Sequence, residues 1–474
     1  MYKSSALYHR LLLEYDEKEV IDYMEEELKK HDIGDFEYFL RNYMEIEYTE
    51  TNIRKYVDFV SFFQLEIQTE FAKFLLNNYI LNLKLLKTIC NFHCIVFVIE
   101  ELCKNVNSLT NKQLLYISKY IELKELNLTN TNITDDGLIY CNNLQKVNAH
   151  RNRGITSCQS FSDTLIELDA SWSGINDEGL KNCIYLQKLN AYNSDKISTC
   201  TPFAQNIIEL DISGSCSIKN SDLQKCINLK KLKANHNYNI KSCISFASNL
   251  LELEAIGECG INDEGIKKCF NLEILNAYGN KRITTCQPFI HSLIELDAAS
   301  ENCGISDNGL RNCYKIINLN ASNNNKITFC GMFANTLIKL NASLNCGISD
   351  FGLINCHNLE ILNIYNNKNI TTCKPFAKTL IVLDAGGYFC GLGDNGLEDC
   401  VNLRALKITY NDKITKCTPF VNTLVELDVC FTSSITDEEI IPCNKLKILK
   451  SFGNRNIKIK TYHEDEDTKY FNSF

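Results

Sequence analysis

A leucine-centred segment returns every 21 to 23 residues along two-thirds of this chain, and alternate returns carry different text. The central residues are Leu126, Val147, Leu168, Leu189, Leu210, Leu232, Leu253, Leu275, Leu296, Leu319, Leu340, Leu362, Leu383, Leu406, Leu427 and Leu449. The stretches KLNAYNSDKISTCTPFAQNIIELD (188–211) and ILNAYGNKRITTCQPFIHSLIELD (274–297) are near copies. They alternate with segments such as GINDEGLKNCIYLQKLNA (174–191) and GINDEGIKKCFNLEILNA (260–277). The unit is therefore a double repeat of about 43 residues. A period in this range specifies a solenoid, in which each coil packs only on its neighbours, and excludes a single compact core.

Within a coil the pattern predicts a short strand. In Leu186-Gln-Lys-Leu189-Asn-Ala191 the apolar residues turn inward and the residues between them turn out. The GINDEGLKNC half predicts a short helical return, with Asp177 as its N-cap and Leu180 and Cys183 facing the core. Asp135, Asp263, Asp307, Asp350, Asp394 and Asp437 are the matching aspartates. The other half carries a Pro-Phe step at Pro202, Pro288, Pro375 and Pro419, which predicts a turn or a 3₁₀ segment. Asn152, Asn237, Asn280, Asn324, Asn367, Asn411 and Asn454, with Ser194 as the exception, form a ladder suited to bonding backbone groups of adjacent coils.

Fifteen of the 24 cysteines fall at two fixed places in the repeat, which reads as buried structural thiols rather than disulfides. Cys216, Cys259, Cys303, Cys346 and Cys390 recur at a tight corner. Zinc would want close pairs such as CxxC, and the local cluster Cys90, His93, Cys94 and Cys103 reads as packing in an apolar stretch. No metal or cofactor is expected. No phosphate loop, nucleophile elbow or HExxH motif occurs, and no catalytic residue is nominated. The net charge of −9 makes no case for nucleic acid or an anionic membrane. The opening residues lack a secretory signal and no run reaches the roughly 20 apolar residues of a span, so a cytoplasmic or nuclear protein is expected.

The run Ile133-Thr-Asp-Asp-Gly-Leu-Ile-Tyr-Cys-Asn-Asn-Leu144 resembles the cysteine-containing class of leucine-rich repeats, written ITDxGLxxCxxLxxLNL. The resemblance covers about residues 121–457 and implies an α/β solenoid. That fold is a leucine-rich-repeat horseshoe of about 16 coils with a parallel inner sheet. The alternation with TxCxPFAxTLIELDA departs from the simple class and resembles arrays of large amoeba-infecting DNA viruses.

Residues 1–110 lack the repeat and place apolar residues three and four apart, which predicts an all-α N-terminal domain. Tyr38 to Ile53 and Val57 to Glu66 resemble the C-terminal half of a BTB/POZ domain, as found in cullin-linked adaptors. The alternative is an unrelated helical cap on the first coil. Residues 458–474 concentrate acid at Glu464 to Asp467 and form an acidic tail or end cap.

The strand positions that turn outward nominate a concave binding face for a protein partner. Its residues are Glu167, Asp169, Tyr192, Glu209, Asp211, Glu252, Glu254, Ile274, Tyr278, Glu295, Asp297, Ile361 and Tyr365. Basic rungs at Lys146, Lys188, Lys231 and Lys233 alternate with the early acidic ones, and further on the basic rungs become apolar. The expected function is a non-enzymatic protein-interaction scaffold. The family resemblance implies a sharper version, a ubiquitin-ligase substrate receptor that docks the ligase through residues 1–110. The alternative is a structural or decoy protein, a host-interaction factor without ligase recruitment.

Overall fold

A computed structural model describes residues 110–120, 122–432 and 434–459, in two units that divide after Ile207. The helical domain expected over 1–110 lies outside the described residues apart from Thr110, and the acidic tail lies outside them beyond Ile459.

The first unit opens with a helix, α1 (Asn111–Tyr120), followed by strands β1 (Glu125–Asn127), β2 (Lys146–Asn148), β3 (Glu167–Asp169) and β4 (Lys188–Asn190). The second unit carries β5 (Glu209–Asp211), β6 (Lys231–Lys233), β7 (Glu252–Glu254), β8 (Ile274–Asn276), β9 (Glu295–Asp297) and β10 (Asn318–Asn320). It continues with β11 (Lys339–Asn341), β12 (Ile361–Asn363), β13 (Val382–Asp384), β14 (Ala405–Lys407), β15 (Glu426–Asp428) and β16 (Ile448–Lys450). Within each unit every strand pairs in parallel with the next in sequence, central residue against central residue. Leu126 meets Val147, and Leu253 meets Leu275. A slip of one residue would turn the whole leucine column to solvent, so the register follows from the apolar pattern. Both units are built as leucine-rich-repeat α/β solenoids.

Each coil fills its interior with one residue from each side. The strand leucine, the small residue after it, an isoleucine, a cysteine and the return-segment anchor are all buried, as in Leu189, Ala191, Ile197, Cys200 and Phe203. The Pro-Phe half returns as a 3₁₀ turn, for example Thr201–Phe203, Gln287–Phe289, Lys374–Phe376 and Thr418–Phe420. The same turn forms without proline at Gln159–Phe161, Ile244–Phe246 and Gly331–Phe333. The buried phenylalanine, common to all seven, is what holds it.

The other half corrects the expected capping. Asn176, not Asp177, is the N-cap, and its side chain accepts the Gly179 N–H at 3.0 Å. Asp177 stands one residue inside the helical turn. Its carboxylate accepts the Ser198 backbone N–H at 2.8 Å and the Ser198 hydroxyl at 2.5 Å. Asp135, Asp263, Asp307, Asp350 and Asp394 bond a threonine 21 residues on in the same way. Asp437 accepts the Lys458 N–H at 3.0 Å. These aspartates tie coil to coil, because an orphan amide of the next coil is a nearer donor than those of their own turn.

The glycine of this half is a close-approach residue. A Cβ on Gly309 would stand 2.1 Å from the Thr284 carbonyl oxygen, and the Gly309 carbonyl accepts the Cys286 N–H at 2.9 Å. Where Glu439 replaces the glycine, its carboxylate takes the equivalent Cys417 N–H at 2.8 Å.

The asparagine ladder forms as expected. Asn324 Nδ2 donates to the carbonyls of Ala298 (2.7 Å) and Ile305 (3.2 Å), while its Oδ1 accepts the Lys326 N–H at 3.0 Å. Asn237, Asn367 and Asn411 repeat the pattern, and Ser194 reaches Ala170 O at 2.8 Å. Buried amides that leave the strand ladder are thereby satisfied.

Helix α1 is an element the sequence pattern did not assign. Leu114 is fully buried, and Asn111 bonds both the Thr134 hydroxyl (2.7 Å) and the Thr134 N–H (3.0 Å). Asn111 does for the first coil what the bridging aspartates do for later ones, so α1 seals its open edge. No helix among the described residues is long and apolar enough to cross a membrane.

Candidate binding face

The first and third residues of each strand flank the buried central leucine and stand on the outward face of the sheet. None of the thirteen nominated residues is buried. In the first unit Glu167 pairs with Lys146 and with Lys188, each at 3.7 Å. In the second, Lys231 reaches Glu252 and Lys233 reaches Glu254, both at 2.8 Å, and each carboxylate pushes its lysine partner up. These pairs are solvated, and such pairs contribute about 0–1 kcal/mol each. Glu167, Glu252 and Glu254 are therefore partly committed to the sheet itself.

The third strand position has a structural duty that periodicity did not reveal. Its carboxylate or amide oxygen accepts the backbone N–H two residues on, turning the chain out of the strand. Asp169 takes Ser171 N (2.9 Å), Asp211 takes Ser213 N (2.9 Å), and Asp297 takes Ala299 N (3.0 Å). Asn190, Asn276 and Asn363 do the same ahead of Tyr192, Tyr278 and Tyr365. The residue after this turn adopts a left-handed backbone in nearly every coil, glycine at Gly279 (φ 62°) but bulky at Trp172 (φ 58°), Tyr410 (φ 61°) and Phe431 (φ 54°).

Burial pushes the Asp211 and Asp297 carboxyls up against the opposing pull of those hydrogen bonds. A folded-state value above the unfolded one means that the folded chain holds the proton more tightly. This contribution to stability is full at low pH and is lost as pH rises through the folded value. Asparagine serves the same turn in other coils. Asp211→Asn is therefore expected to leave stability at pH 7 unchanged or raise it by up to about 0.5 kcal/mol. The advantage should shrink on acidification, as read from urea midpoints at pH 7 and pH 4. A loss at pH 7 that persists at pH 4 would show that the charge itself holds the corner.

One cluster in the first unit carries the residue types of a hydrolase. His150 Nδ1 lies 2.7 Å from Ser171 Oγ, and Ser171 Oγ donates to Asp169. The order is wrong for an activated serine, whose proton must pass to the histidine. Here the serine is buried and its hydroxyl donates to Asp169, which leaves it no proton to pass to His150. The cluster ties two coil corners together.

Twenty of the 21 described cysteines are buried and all 21 are free thiols. No group of three or more histidine, cysteine, aspartate or glutamate side chains suited to a metal occurs among the described residues. Burial pushes the corner thiols Cys259, Cys303 and Cys390 up to about 11 and Cys346 up to about 12. These thiols are packing groups with little nucleophilic character at neutral pH.

Exposed and half-exposed apolar and acidic residues stand together on and beside β8, β9 and β12. Glu273, Ile294 and Glu295 are exposed, Ile274, Asp297 and Ile361 are half-exposed, and Tyr278 projects from the sheet edge. A second surface, which the sequence reading missed, follows the strand-exit corners of the last four coils. Tyr388, Tyr410, Phe431 and Phe452 stand in a row with ring centroids 4.9, 4.9 and 5.2 Å apart. Its signal in sequence was an aromatic residue at or beside the left-handed corner in four successive coils, Tyr410 and Phe431 at the corner and Tyr388 and Phe452 beside Gly387 and Gly453.

Among solved structures the chain is similar to an internalin (inlF) from Listeria monocytogenes, at 18% identity and a TM-score of 0.41, over 77% of this chain and 94% of that one. It is similar to a leucine-rich-repeat protein of Leptospira interrogans at 16% identity and a TM-score of 0.39, over 75% and 83%. It is also similar to the Rad7 and Elc1 complex of yeast at 14% identity and a TM-score of 0.35, over 90% and 93%. No family model and no curated protein matches the sequence.

Proposed function

We propose that the chain is a non-enzymatic scaffold that binds a protein partner on the outward face of its strands, centred on β7 to β12. The observation that carries this reading is the exposure of Ile294 and Tyr278, with half-exposed Ile274, among Glu273 and Glu295 on and beside the in-register strands β8 and β9, with half-exposed Ile361 further along on β12. Apolar anchors ringed by charge on a rigid support are what a protein interface uses, and the ladder lowers the ordering cost of binding. The acidic rim favours a partner with basic groups.

Crosslinking mass spectrometry on the full chain in native cells tests the reading. The expected partner crosslinks flank β7 to β12, and Ile274→Asp combined with Tyr278→Ala should reduce partner capture at least tenfold, about 1.4 kcal/mol or more. Capture unchanged by that double substitution would sink this placement. The finer reading, a ubiquitin-ligase substrate receptor, is supported by the BTB-like text of residues 38–66. On that reading, deleting residues 1–110 abolishes ligase recruitment and leaves partner capture intact; a structural or decoy protein keeps its effect after the same deletion.

A further inference from the structure

A row of exposed apolar residues follows the strand-entry edge of the second unit. It holds Ile227 (47% exposed), Phe270 (61%), Tyr314 (52%) and Val401 (51%), with exposed His357 between the last two. Each comes directly after a buried cysteine and four residues ahead of its strand, on β6, β8, β10, β12 and β14. The coils between them carry exposed polar residues at that place, Ser248, His291, Asn335 and Lys378. The apolar groups therefore recur about 10 Å apart along the ladder. Exposed apolar residues scattered singly need no explanation, but recurrence at one place in alternate coils does. The backbone of the row is also pinned by side chains of the following coils. Asn249 Nδ2 donates to Ile227 O (2.9 Å), Ser292 Oγ to Phe270 O (3.0 Å), Thr336 Oγ1 to Tyr314 O (3.2 Å) and Thr423 Oγ1 to Val401 O (3.0 Å). Anchors fixed before contact lose little freedom on binding. The charge beside the row reverses along it. Exposed Lys267 and Lys268 precede Phe270, and exposed Glu398 and Asp399 precede Val401 at the matching places. Lys267 also holds Glu264 at 2.7 Å, an exposed pair that leaves this coil with the charge of Lys268.

We propose that this row joins two copies of the chain edge to edge and antiparallel, about a two-fold axis through the coil of β11. A second copy carries the same anchors at the same spacing, so the two rows stay in step along their length. A two-fold contact sets one surface patch on itself, and a row can then run parallel or antiparallel to its copy. Parallel pairing would set Lys267 and Lys268 on the same lysines across the axis, which like-charge repulsion opposes. Antiparallel pairing about the coil of β11 sets them on Glu398 and Asp399 instead, at both ends of the contact. The same register sets Phe270 on Val401 and Tyr314 on His357. Eight coil steps make the row about 40 Å long, so a strip two side chains wide offers roughly 600 Å² on each copy, the low end for a specific interface. The contact uses the strand-entry edge, not the strand face proposed for the protein partner.

Sedimentation velocity of the full chain over roughly 1–200 µM, the range a small interface calls for, tests it. The chain should pass from monomer to dimer across that range. One variant carries Lys267→Glu with Lys268→Glu, and a second carries Glu398→Lys with Asp399→Lys. Each alone sets like charges across the axis and should dimerise at least tenfold more weakly. Mixed in equal amounts, the two variants match at both ends and should dimerise as the unaltered chain does. An unaltered chain that stays monomeric throughout would overturn the proposal and leave the row to a different protein. Dimerisation unchanged in either variant, or a mixture no stronger than its components, would overturn it as well. If either variant does not fold by circular dichroism, Phe270→Ser with Val401→Ser takes their place. That change should also weaken the dimer at least tenfold, and an unchanged dimer would overturn the proposal.

Discussion

Alanine at Phe289 is expected to destabilise the second unit by about 3–5 kcal/mol, the range for a fully buried phenylalanine truncated in a core. Phe289 has no exposed surface and ends a three-residue 3₁₀ turn whose backbone alone makes few bonds. The side chain is what draws the return segment onto the core, so its loss removes both the apolar burial and the reason for the turn. In a solenoid each coil is supported only by its neighbours, so one weakened coil can uncouple the array. Urea unfolding should therefore lose cooperativity and split into two steps. Phe289→Leu, which keeps most of the volume, should cost under about 1.5 kcal/mol. A loss below 1 kcal/mol for the alanine variant would mean that proline and backbone bonds hold the turn without the ring.

Raising the pH from 7 to 10 under reducing conditions is expected to remove several kcal/mol of stability. Burial pushes Cys141, Cys259, Cys303 and Cys390 from 9.0 to about 11, and Cys346 to about 12. Their folded values lie above the unfolded one. The folded state therefore keeps protons that the unfolded chain gives up above pH 9. The stability they contribute is complete below pH 9 and falls as pH rises toward the folded values. Each thiol loses about 1.4 kcal/mol of its contribution by pH 10, or about 7 kcal/mol for the five together. Among the inner thiols, the hydrogen bond to Cys269 pushes Cys243 well up, whereas in the Cys330–Cys356 pair the shifts oppose each other, Cys330 pushed up and Cys356 pulled down by their shared hydrogen bond. Guanidinium midpoints between pH 7 and 10 give the measurement. Cys259→Ala together with Cys346→Ala should flatten the profile. A midpoint constant to pH 10 would show that these thiols ionise as easily folded as unfolded.

The periodic residues were legible because a solenoid repeats the same local problem. The central leucines, the buried cysteines, the asparagine ladder and the 3₁₀ return all follow from recurrence of residue type at fixed spacing. The bridging aspartates were misassigned because Asp177 and Asn176 both suit a helix start. Only the position of the next coil shows which oxygen caps its own turn and which reaches Ser198. Asp169, Asp211 and Asp297 looked like partner contacts because alternation marks them as outward, yet each spends one oxygen on the chain's exit from the strand. Helix α1 escaped because ten residues of mixed polarity carry too little periodicity; its place is set by Asn111 on Thr134.

Recurrence of leucine every 21 to 23 residues decided by itself that the chain winds into coils, which residues fill them and which strand positions turn outward. That information is local, and each coil states it again. Only the tertiary structure decided which outward positions meet solvent. Glu209, Glu295 and Glu426 occupy the same place in their strands, and the first two are accessible while the third is buried. The physical reason is that exposure is set by everything packed around a side chain, which the spacing of a repeat does not record.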